Sequence, residues 1–163
     1  MSELAELLER YRRGAELIAT VMTGAAGAEL DFVPEPGKWS VRQIIAHLAD
    51  SELVTADRMR RIIAEEKPTL IAFDQDAWAK NLDYARRKTS QSIEKFRRLR
   101  AESHALLQDL PPEAFERKGV HNLRGPLTLR QLVEAMAIHV ESHVRQIRGV
   151  REQYKQSRPT HGS

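Results

Sequence analysis

Apolar residues return at steps of three and four along most of the chain, the period of helices that bury one stripe. Leu4, Leu7, Leu8, Tyr11, Ala15, Ile18, Ala19 and Met22 predict a helix over 3–23, ended by Gly24 and Gly27. The Pro-rich passage Pro34-Glu35-Pro36-Gly37-Lys38 forbids regular structure. A second apolar set, Ile44, Ile45, Leu48, Thr55, Met59, Ile62 and Ile63, predicts a helix from Val41 that ends before Pro68. Residues 68–88 are the least regular, with one short helical turn expected behind an Asp74 cap. A third long helix is expected from Ser90 to Leu110, where Pro111-Pro112 stops it, and a fourth from Thr128 through Val150. No alternating stretch competes as a strand. Four long rods can bury their stripes only against one another, which predicts an all-α four-helix bundle. The two connectors, each near 20 residues, allow a topology other than up-down-up-down.

The length of 163 residues bounds this to one bundle, assigned here to 1–155, with 156–163 as a disordered tail. Cysteine is absent, so disulfides, Cys-ligated zinc, iron–sulfur clusters and thiolate nucleophiles are excluded. Any metal must use His, Asp or Glu. Nine aromatic residues and a net charge of +3 are weak support for nucleic acid, which is not expected as a partner. The acidic start Met1-Ser2-Glu3 is no signal peptide, and the longest uncharged run, Leu17–Ala28, is too short to cross a membrane. A cytoplasmic location without membrane contact is the expectation.

Two helix starts echo one another: Trp39-Ser40-Val41-Arg42-Gln43-Ile44 and Leu127-Thr128-Leu129-Arg130-Gln131-Leu132. Each reads as a capping box, Ser or Thr at the cap and Gln three residues on, flanked by a hydrophobic staple. Counted from these caps, His47 lies at position 7 and His139 and His143 at 11 and 15. Steps of four rotate a helix by only about 40°, so these positions share a broad face beside Ile44, Leu48, Met136, Val140, Val144 and Ile147.

Three imidazoles at apolar positions need polar partners, and one divalent cation satisfies all of them. His139 and His143 have the i, i+4 spacing of a helical chelate, and His47 completes a three-nitrogen set with an open position for water or substrate. The plain alternative is three satisfied core histidines. The zinc-protease pattern fails, because Val140 follows His139 and Glu141 lies about 200° round the helix, towards solvent. Asp50, three residues past His47, is the candidate orienter or general base, against the alternative of a surface carboxylate. Glu52 points elsewhere, and Asp74 and Asp76 read as capping residues that a loop over a metal could also use. His104, His121 and His161 lack partners at ligand spacing. Arg58, Arg60, Arg61, Arg86, Arg87 and Lys88 read as solvated faces, with contact to an anionic ligand or nucleic acid as the alternative.

Taken together, Gly37-Lys38-Trp39-Ser40, His47-Leu48-Ala49-Asp50-Ser51-Glu52, Phe73-Asp74-Gln75-Asp76-Ala77-Trp78, Gly125-Pro126-Leu127-Thr128 and His139-Val140-Glu141-Ser142-His143 resemble the DinB-like superfamily, from the first helix to about Tyr154. The family's metal motif, one His on the second helix and His-x-x-x-His on the fourth, matches at His47, His139 and His143. The resemblance implies a four-helix bundle holding a divalent metal, zinc or nickel, often as a homodimer. It also implies a small-molecule substrate, with a low-molecular-weight thiol such as bacillithiol or mycothiol as co-substrate in some members. The expected function is therefore a metal-dependent enzyme, thiol S-transferase-like or hydrolytic. The alternative is a non-catalytic metal or small-ligand binding protein of a stress response.

Overall fold

Ser40 and Thr128 each accept a hydrogen bond from the backbone N–H three residues on, at 3.3 and 3.0 Å, while Gln43 and Gln131 reach back to the cap amides at 2.9 Å. Both capping boxes are thus formed, and each satisfies two backbone donors that a helix start would otherwise leave bare. They open the two longest helices of the computed structural model, which describes residues 1–158. These are α3 (Val41–Ala64) and α6 (Leu129–Ser157), numbered after α1 (Glu3–Arg12) and α2 (Gly14–Val21). Between them lie α4 (Gln75–Asn81), capped by Asp74 as expected, and α5 (Thr89–Gln108).

The apolar stripes meet in two large clusters, beside a small third one of Ala46, Ala79 and Tyr84. One gathers Ile18, Val21, Ile44, Leu48, Phe96, Val140, Val144 and Ile147; the other gathers Tyr11, Met59, Ile62, Leu107, Leu129, Val133 and Met136. The order in which each helix visits them gives its direction. α1–α2 and α6 run from the second cluster to the first, whereas α3 and α5 run from the first to the second. Because α3 and α5 are parallel neighbours, the chain between them must return along the bundle, which is why that connector is long.

Two expectations need correction. The first helix is two, broken at Arg13 and Gly14. Strands do occur: β1 (Thr69–Leu70) pairs in parallel with β2 (Lys118–His121), which pairs antiparallel with β3 (Gly125–Thr128). This sheet ties the two long connectors together over one side of the bundle. Its turn closes on Gly125 at φ +81°, a backbone conformation that costs little only for glycine. α6 runs through Ser157, and residues 159–163, with His161 and most of the expected tail, lie outside the described residues. No described helix is long and apolar enough to cross a membrane.

Candidate metal centre

α3 carries His47 and α6 carries His139 and His143, and the crossing of these two antiparallel helices brings the three rings together. Ring centroids lie 5.2 Å apart for His47 and His139, 5.0 Å for His47 and His143, and 4.5 Å for His139 and His143. One ring nitrogen from each falls within 4.8 Å of the other two. His47 is 1% exposed and its two partners are half-buried.

The donor set fits a divalent cation. Nε2 of His47 and Nε2 of His139 are 3.2 Å apart, and two nitrogens on a tetrahedral zinc at its usual bond length stand about 3.3 Å apart. Without a cation that pair can share one proton, while the buried Nδ1 of His139 has no partner among the described residues. Burial lowers the His47 pKa to about 4, with the neighbouring His143 adding to the effect and Asp50 opposing it. Burial and the other two imidazoles lower His139 to about 3, and burial lowers His143. All three rings are therefore neutral near pH 7, the protonation state in which imidazole binds metal. His143 is oriented from outside by Gln146, whose Oε1 lies 2.7 Å from Nδ1. The Ser51 hydroxyl rests against the His47 ring at 3.4–3.5 Å.

The other predicted residues separate. Asp50 accepts from Tyr84 Oη at 2.7 Å and from Lys95 Nζ at 2.6 Å, and no hydrogen bond joins it to an imidazole among the described residues. Glu52 points away from the centre as expected, into a fully buried ion pair with Arg100 at 2.7 and 2.8 Å. Glu141, on the solvent side as expected, is held there in a bidentate pair by Arg10 of α1. Asp74 accepts a hydrogen bond at Oδ1 from the Ala77 amide, and Asp76 and His104 are not among the residues that converge with the three imidazoles.

A cleft of about 480 Å³ opens beside the imidazoles. His47, His139, Ser51, Thr55 and Met136 line it from the bundle; Phe73, Asp74, His121, Leu123 and Arg124 line it from the connectors, with Arg58 of α3 between them. From the sequence, Arg58 reads as part of a solvated face and His121 as a connector residue without a partner at ligand spacing. Arg58 is instead half-buried, with Nη2 donating to the Ile71 carbonyl at 2.6 Å. His121 is buried, its Nδ1 accepting from the Leu123 and Arg124 amides at 3.2 and 3.1 Å. The sheet that turns these residues inward left no hydrophobic alternation to read, because the buried positions of β2 are Gly119 and His121.

A model of the DinB superfamily matches residues 10–147. A relative from Oceanobacillus iheyensis is 26% identical over 91% of this chain and 85% of its own length. YfiT of Bacillus subtilis is 28% identical over 87% of this chain and 79% of its own. Both carry provisional names as metal-dependent hydrolases. The solved structure of YfiT, described as a four-helix bundle of unusual topology, superposes with a TM-score of 0.87 over 95% of this chain and 90% of that one, at 23% identity. A mycothiol-dependent maleylpyruvate isomerase shares the fold more distantly, with a TM-score of 0.72 over 90% of this chain and 61% of that one, at 14% identity.

Proposed function

The chain belongs to the DinB superfamily, and from that premise we propose that it is a metal-dependent hydrolase of small molecules, with His47, His139 and His143 as ligands of one divalent cation. The observation that carries this reading is the convergence of three neutral ring nitrogens within 4.8 Å at the side of a cleft. A cation held by these three uncharged ligands would supply Lewis acidity, polarising a carbonyl, bringing the pKa of a bound water towards about 7 and holding a bound thiol as the thiolate. Zinc and nickel both suit an all-imidazole set. The chain's own contribution is to hold the rings neutral, to fix His143 through Gln146, and to shield the centre with Met136, Phe73 and the Ser51 and Thr55 side chains. At about 480 Å³ the cleft is of small-molecule size.

A second reading replaces water by a low-molecular-weight thiol. The likeness in fold to a mycothiol-dependent enzyme favours it. One set of measurements tests both. Protein purified without added metal should carry about one zinc or nickel per chain, and a His139→Ala variant almost none. The loaded protein should cleave a chromogenic ester such as p-nitrophenyl acetate, or couple cysteine to monochlorobimane, faster than the chelated protein. Equal rates with and without metal in both assays would defeat the proposal.

A further inference from the structure

Resting on the reading of the three-imidazole centre, the geometry points to a substrate class: a small organic carboxylate with an apolar body, its carboxylate taken by Arg58, Arg124 and His121 of the adjoining cleft. The cleft has donors to spare. Among the described residues neither guanidinium forms an ion pair with a carboxylate. Arg58 Nε is buried without a hydrogen-bond partner, and its Nη2 is fixed by the Ile71 carbonyl, so the fork is held in place. A buried unpaired donor is costly unless a ligand uses it.

His121 adds a third donor. Its Nδ1 accepts two backbone amides, which places the proton of the neutral ring on Nε2. Burial, with the charges of Arg58 and Arg124 adding to it, favours that neutral form. The one carboxylate lining the cleft, Asp74, is engaged at Oδ1 in capping α4. Paired guanidiniums match a planar carboxylate, giving two parallel N–H···O bonds where an ammonium gives a point charge.

Part of the remaining wall is apolar. Phe73, Leu123 and Met136 line the same cleft, and Leu123 is 79% exposed at its edge. A ligand anchored by its carboxylate at the arginines lays an apolar body against them, with its other end beside His47 and His139. Arg58 and Arg124 are binding residues in this assignment, separate from the metal ligands.

Hexanoate and its uncharged isostere hexanamide are the probes, with binding followed by the emission of Trp78, whose ring packs on Phe73 at 4.7 Å. Hexanoate should bind at least about tenfold more tightly than hexanamide, in metal-loaded and in chelated protein alike. Arg124→Gln, at an exposed hairpin position where folding is not at stake, should remove most of that preference, and Arg58→Gln should do the same. Both variants should keep the metal content of the parent. Equal affinity for the two probes, an undiminished preference in both variants, or a preference that vanishes on chelation would each overturn the inference. Failure of the metal reading shows separately, as absence of metal in the parent protein.

Discussion

Gly14 and Arg100 are in contact so close that a Cβ on the glycine would stand 2.6 Å from Nη1 of the guanidinium. That nitrogen donates to the Tyr11 carbonyl at 2.7 Å, which inserts an arginine into the hydrogen-bond ladder where α1 gives way to α2. The break in the first helix thus has an identifiable cause. Gly14→Ala should destabilise the protein by about 1–3 kcal/mol through overpacking, despite the better helix propensity of alanine. Gly149→Ala, on an exposed turn of α6 with nothing within 4 Å, should stabilise by up to about 1 kcal/mol. Urea midpoints of the two variants moving in opposite directions is the expected outcome.

The same guanidinium lies over the rings of Tyr11 and Phe96 at 4.0 and 4.8 Å and meets Glu52 in a pair that is 1% exposed on both sides. Glu52→Ala strands that charge in the core and should cost about 3–5 kcal/mol. Adding Arg100→Met should recover much of the loss, because two apolar side chains remove both charges together. A double-mutant cycle in urea checks the coupling; additive losses would mean that the pair is not a unit.

Metal removal should lower stability. Zinc at a hundredfold excess over its dissociation constant should stabilise the chain by about 2.7 kcal/mol, a rise of roughly 5–10 °C in Tm. His143→Ala should abolish this shift, and calorimetry with and without chelator reads it directly.

In chelated protein the histidines give the pH dependence. Unfolded, His47 and His139 take protons near 6.5; folded, they do so only at about 4 and about 3. The unfolded chain therefore binds more protons between these values, and stability is lost as pH falls from about 6.5 towards 4. Urea midpoints at pH 7.5, 6 and 5 should decline in that order, and replacing His139 by Gln should flatten the slope.

Asp50→Asn decides the role of that carboxylate. Removing a general base typically costs 10²–10⁴ in rate, whereas Asp50 here anchors Tyr84 and Lys95 outside the cleft of the imidazoles. The variant should keep its metal and lose less than about tenfold in kcat; a larger loss would mark Asp50 as the base.

Much of this was legible along the chain because helices are local. The period of apolar residues, the two capping boxes and the Asp74 cap set the starts of α3, α4 and α6 and the approximate span of α5 without reference to anything distant. The shared face of His47, His139 and His143 followed from the same arithmetic, since rotation per residue is a property of the helix itself. Four features instead depended on contacts between residues far apart in sequence. The break at Gly14 is caused by an arginine more than 80 residues away. The small sheet pairs strands of two and four residues, too short to carry a pattern of their own. Glu52 finds Arg100, and Arg58 faces Arg124 and His121, only once the bundle has closed. Propensity and periodicity act within a turn or two, whereas burial of a charge and the partner it meets are decided by which helices pack together.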